Sequence, residues 1–256
     1  MKIEKYNSNM RGKIMFFSPV LYSWLLLLML TVFSVYCFSR PLVLSIDSAY
    51  GFLAYKGTLF FHSFNVLQDI PTSDIRRVDP VFMSWWSPGQ WIFPGLLNFF
   101  FDVRLGVASI FITLASLISG LIGYYRIFAF FRFPSVISIL SLLIIFSSSS
   151  LYYCFVIYQG GEILEFAFFP WFLLYVIRIR KVSVWNVFGI AILFLLCFIA
   201  KTTLLVYCTV VLMAKLFLLS KPSSDARFRF SFNNLLLLLP AMLLTILISI
   251  FYLSRG

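Results

Sequence analysis

"FDVRLGVASIFITLASLISGLIGYYRIFAFF" (residues 101–131) decides the class of this fold. Between Arg104 and Arg126 no residue is charged. The run is long enough to cross a hydrocarbon core, which takes about 20 predominantly apolar residues. The rest of the chain is alike. Of its 256 residues 62% are hydrophobic, 11% are charged and 32 are Phe, and the mean hydropathy is +0.99. A water-soluble domain carries about a quarter charged residues and cannot hide so much apolar surface. The composition is that of an all-α, polytopic integral membrane protein. A formal charge of +11 would suit nucleic acid. Here, however, the basic residues stand at the ends of apolar runs, so membrane lipids are expected as partners and nucleic acid is not.

Working outward from the opening run (span 105–125), further spans are expected at about 14–38, 136–157, 162–177, 184–200, 202–220 and 235–254. They form one transmembrane domain over residues 1–256, with an outer loop at 39–104. "EILEFAFFPWFLLYVI" (162–177) is short and begins with two acids; it is included because the sides fail to alternate without it. Seven spans running N-in/C-out put most of the 20 basic residues inside, as the positive-inside rule requires. Of the 9 acids, that orientation leaves only Glu4 and Asp225 inside. No small-residue cleavage site follows the first apolar run, which reads as an uncleaved span. No internal repeat is visible, so an inverted-repeat transporter layout finds no support. Cys37, Cys154, Cys197 and Cys208 lack metal or disulfide spacing, and His62 is the single histidine. In "IIFSSSSLYY" (144–153) the serines read as bonding along their own helix at a close helix contact.

The outer loop holds the unusual chemistry. Ser48 to Lys56 reads as a juxtamembrane helix stopped at Gly57, with Lys56 in its last turn. Asp47 then stands at its N-cap. It reads either as a cap, worth about 1 kcal/mol, or as a carboxylate at the water–lipid boundary, free to take a proton. "MSWWSPGQWIFPG" (83–95) follows. Pro88 and Pro94 forbid an uninterrupted helix, and open backbone cannot face lipid. A turn and a short dipping segment over 90–101, sheltered by neighbouring spans, are therefore expected. Trp85, Trp86 and Trp91 suit the interface. Glu162 and Glu165 share a helix face at the outer start of the 162–177 span, and Glu165 lies one turn into apolar sequence, where a carboxylate usually faces a cavity. Lys201 lies between two apolar stretches. It reads either as a snorkelling lysine at a hairpin turn or as a cation facing the outer cavity. Asp69, Asp74 and Asp79 beside Arg76 and Arg77 read as solvated surface.

The order of these features resembles the GT-C superfamily of membrane glycosyltransferases, in particular the protein O-mannosyltransferases and the bacterial lipid A aminoarabinose transferase. The matching residues are Asp47, Tyr50 and Ala54; Trp86, Pro88 and Pro94; Leu105, Gly106 and Ser109; and the "AKTTLL" of 200–205. Where such enzymes often have two adjacent acids, this chain has Asp47-Ser48. Members usually continue with more spans, whereas this sequence stops at "FYLSRG"; a compact core working with a partner subunit, or a truncated and inactive member, is the expectation.

The resemblance implies inverting transfer of a sugar from a polyprenyl-phosphate donor to a lipid, glycan or protein acceptor on the outer face, in the cell envelope and at a bacterial inner membrane. It implies Asp47 as catalytic base, with Glu162 or Glu165 placing the acceptor. Arg76, Arg77 or Lys201 would hold the phosphate, and Tyr50 and the tryptophans would bind substrate. The outer carboxylates could take a divalent metal, although no dedicated metal or cofactor site is indicated. Competing expectations are a lipid or sugar transporter (a flippase) and a non-catalytic membrane subunit.

Overall fold

The computed structural model describes residues 19–61, 66–69, 78–81, 88–180 and 183–219, with isolated positions 243 and 247. Over these residues the chain is helical: α1 (Pro19–Ser39), α2 (Ile46–Phe61), α3 (Gly89–Phe101), α4 (Leu105–Phe130), α5 (Ser135–Ser147), α6 (Ser149–Val156), α7 (Gly160–Arg178), α8 (Val184–Ala200) and α9 (Leu204–Leu219). Two small ladders accompany them. β1 (Val43–Leu44) pairs in parallel with β4 (Ile157–Tyr158), and β2 (Val66–Asp69) pairs antiparallel with β3 (Val78–Val81).

Six of the seven expected spans coincide with helices, but they are not seven full spans. Among the described residues three helices are long and apolar enough to cross a membrane, or four if the bent pair α5–α6 counts as one. The reason is length. At 17 and 16 residues, α8 and α9 extend only about 25 Å each, against a core of about 30 Å. Of the segment 235–254 only the isolated positions 243 and 247 are described. The serine run also departs from expectation. Ser147 and Ser148 do donate to their own helix, to the carbonyls of Leu143 and Ile145, yet the helix breaks there by 57°. Ser148 turns instead to capping α6 by accepting from the Leu151 N–H.

The distribution of side chains is inverted relative to a soluble protein. Trp24, Leu28, Val35, Phe111 and Ile118 are exposed, while Ser109, Thr113, Ser116 and Ser138 are buried. Small residues at membrane helix contacts let backbones approach. On α4 this is explicit: a Cβ at Gly120 would collide with the Phe166 ring and stand 2.6 Å from the Phe166 carbonyl oxygen. That carbonyl is the one Pro170, inside α7, leaves without an intrahelical donor. Trp171 Nε1 donates to the Ser119 carbonyl at 3.2 Å, fixing the α4–α7 contact.

Pro94 shows how the aromatic–proline segment is accommodated. It sits inside α3, so the Gln90 carbonyl loses its helical partner. The Tyr158 hydroxyl supplies the missing donor at 2.7 Å. Contrary to expectation, the segment is therefore one helix that runs on through Pro94, its free carbonyl satisfied by a neighbour, as an apolar surround demands.

Two expectations for the outer loop are corrected. Asp47 is not a cap: Ser45 Oγ accepts from the Ser48 N–H at 3.2 Å, and Asp47 lies in the first turn of α2. Gly57 does not stop the helix, which runs on to Phe61.

Candidate functional site

The site begins with the glycines of "YQGG". A Cβ on Gly160 would collide with Gln90, so only glycine lets the start of α7 press against α3. Ser48 joins the same junction. Fully buried, it donates to Gln90 Oε1 at 3.2 Å and accepts from the Gly160 N–H at 3.2 Å. Ser48, Gln90 and Tyr158 thereby tie α2, α3 and the start of α7 into one polar knot. Sequence reasoning passed over all three. Its one available signal was Pro94, which announces an orphaned carbonyl at Gln90.

This knot sets the position of Glu162 and Glu165 on the first turns of α7. Lys201, just past the end of α8, donates from Nζ to Glu162 Oε1 at 3.0 Å and lies 3.3 Å from Glu165 Oε2. The Lys201 backbone is held on both sides, its N–H on the Cys197 carbonyl and its carbonyl on the Leu204 N–H. Burial alone would lower the Lys201 pKa; the hydrogen bond and charge of Glu162, then the charge of Glu165, outweigh it and hold the ammonium above its usual range. The trio carries one positive charge against two negative ones. Its side chains are partly open, at 30% for Lys201, 40% for Glu162 and 29% for Glu165.

The two carboxylates line a cavity of about 340 Å³ together with Tyr124, Ser148, Ser150, Cys154, Phe155 and Phe166. The break between α5 and α6 opens onto it, which puts Ser148 and Ser150 in the same lining as the acids. Depth follows from register. Gly120 meets Phe166 and Gly123 meets Pro170, so α4 and α7 run in parallel. The start of α7 then lies roughly 14 Å along α4 from Leu105. The carboxylates are set back by at least that distance from the start of α4.

The remaining expected site residues fall elsewhere. Asp47 is exposed and lines neither this cavity nor the other one described below. Tyr50 is half-buried on α2. Trp91 is buried, its ring centroid 6.4 Å from that of Tyr55, and a Cβ at Gly51 would stand 2.8 Å from it; its ring packs α2 on α3. Arg76, Arg77, Trp85 and Trp86 lie outside the described residues.

Among the described residues no group of three or more His, Cys, Asp or Glu side chains forms. The two carboxylates that do meet already hold an ammonium, which is a poor donor set for a divalent ion. Comparison with protein-family models, curated proteins and solved structures finds no match for the chain.

Proposed function

We propose that this chain is a membrane glycosyltransferase core that moves a sugar from a polyprenyl-phosphate donor to an acceptor brought to the recessed cavity. One observation carries the reading: Glu162 and Glu165 converge on a partly enclosed cavity, oriented by a lysine from another helix pair. In the step proposed, the acceptor oxygen attacks the anomeric carbon, the bond from that carbon to the phosphate oxygen breaks, and polyprenyl phosphate leaves. The acceptor proton goes to Glu165, the deeper of the two acids. Lys201, itself anchored by Glu162, holds Glu165 in place, as a general base requires. Because the trio is net negative, the departing phosphate is assigned to Arg76 or Arg77 and not to Lys201. Asp47 becomes a boundary residue in this reading, with the base one cavity away.

The recess of the ion pair favours a second reading. Ionisable groups partway into a membrane protein also mark transport pathways, and a flippase would use the same trio as a proton or ion relay.

The test is a mass-spectrometric profile of glycans and glycolipids after deletion, complemented with wild type, Glu165→Gln or Asp47→Asn. The transferase reading expects wild type and Asp47→Asn to restore a lost sugar and Glu165→Gln to fail. Restoration by Glu165→Gln sinks the assignment of the base. Loss of the glycan with the lipid-linked precursor accumulating on the inner side, and not on the outer side, would establish the flippase instead.

A further inference from the structure

A second cavity, of about 570 Å³, lies where the end of α1, the middle of α2 and the start of α4 meet. It shares no lining residue with the carboxylate cavity. Between Ser109 on its wall and Tyr124 on the other runs roughly 22 Å of helix. Its charged lining residues are Arg40, Lys56 and Arg104, one from each segment, and none of its lining residues is acidic. Among the described residues the ion pairs are those of Lys201, so these three cations have no carboxylate partner there. Arg40 rests on the Tyr36 ring, 5.0 Å from its centroid. The rest of the wall is mostly apolar, with Phe38, Phe52 and Ile110 among it.

The start of α4 adds to the same field. Arg104 precedes the helix without a side-chain cap, so the first N–H groups of α4 bring their positive end to the cavity. A Cβ on Gly106 would meet nothing within 4 Å. Three cations without a carboxylate partner among the described residues, beside an uncapped helix start, call for an anion. The apolar wall beside them calls for a chain attached to it. A soluble phosphate answers the first demand and leaves the second unmet.

From this arrangement we infer that the cavity binds the phosphate head of an anionic glycerophospholipid, with its acyl chain against Phe38, Phe52 and Ile110. The lipid is a bound structural partner that joins three segments of like charge, separate from any donor that reacts at the carboxylates. The site stands whether or not the transferase reading holds, because its test reads binding and not transfer.

The experiment is native mass spectrometry of the full chain in detergent, titrated with phosphatidylglycerol, phosphatidylcholine of the same acyl chains, and inorganic phosphate. Phosphatidylglycerol is expected to bind at least roughly tenfold more tightly than phosphatidylcholine. Arg40→Gln, Lys56→Gln and Arg104→Gln are each expected to weaken it roughly fivefold, and Arg178→Gln, at the far end of α7, to leave it unchanged. Gly106→Phe fills the cavity without touching a charge and is expected to abolish lipid binding while the melting temperature of the lipid-free protein holds. Equal binding of the two lipids, or full binding by Gly106→Phe, overturns the proposal. Displacement of phosphatidylglycerol by equimolar inorganic phosphate overturns it too, in favour of a simple anion site.

Discussion

The two cavities at different levels of α4 solve opposite electrostatic problems. In the carboxylate cavity the protein brings its own counter-ion: Lys201 answers Glu162 and Glu165 from a helix pair 39 and 36 positions away in the chain. In the basic cavity three cations meet with no acid among the lining residues. Removing a charge should therefore have opposite consequences in the two places. A self-neutralised cluster is damaged by loss of a partner, which strands the remaining charge. A cluster of one sign, waiting for a ligand, is relieved by it.

The largest effect is expected for Lys201→Met, which leaves two carboxylates facing each other in a partly enclosed space. Breaking a fully buried pair costs about 3–5 kcal/mol; with side chains still 30–40% open, screening reduces this to about 2–3 kcal/mol. Thermal melts in detergent measure it, and Lys201→Met combined with Glu162→Gln should recover part of the loss. A double variant no better than the single one would show that the pair does not act as a unit.

Next comes Tyr158→Phe, which removes the donor to the Gln90 carbonyl and should cost about 1–2 kcal/mol, the penalty of an unsatisfied buried acceptor. Since Gln90 also braces Ser48 and Gly160, the change should lower the transfer proposed at the carboxylates while leaving the lipid binding proposed at the basic cavity intact. Loss of both would mean that the two regions are less separate than their linings suggest.

A smaller effect is expected from pH. The Lys201 pKa is raised in the folded protein, so its stabilisation is fully present below the unfolded lysine pKa. It is lost as pH rises through the higher folded value. Wild type should lose its advantage over Lys201→Met on the alkaline side of lysine's ordinary range and keep it at neutrality. Melts across alkaline pH decide this, and a gap that closes already at neutral pH contradicts it.

The smallest effect sharpens the contrast most. In lipid-free detergent, Arg104→Gln should be neutral or stabilising by up to about 0.5 kcal/mol, since exposed like charges repel weakly. A clear destabilisation would mean that Arg104 has a partner within the protein and that the basic cavity is not one-signed.

What the sequence disclosed divides along the same line as local against distant information. Apolar runs are local, and the helices at 105–130 and 184–200 begin where hydrophobicity begins. Glu162, Glu165 and Lys201 each stood out because a charge in apolar sequence is costly wherever it lies. Their meeting was not legible, since nothing near Lys201 in the chain encodes the start of α7. The Ser48–Gln90–Tyr158 knot was hidden for the same reason: its bonds span 42 and 68 positions. Local signals also misled where packing overruled them. Gly57 carries the mark of a helix end, yet α2 continues past it, and Asp47 looked like the cap one residue before Ser48 when Ser45 does that work.

The short α8–α9 pair has a consequence for the bilayer itself. Two helices of about 25 Å whose other ends are seated at one headgroup plane bring the turn bearing Lys201 to about 5 Å short of the opposite plane, in a membrane with a core of about 30 Å. Either the lipid leaflet dips to meet it, or water does. In both cases the boundary is drawn toward the carboxylates, and a polar headgroup reaches Glu162 and Glu165 by a path shortened by roughly that shortfall.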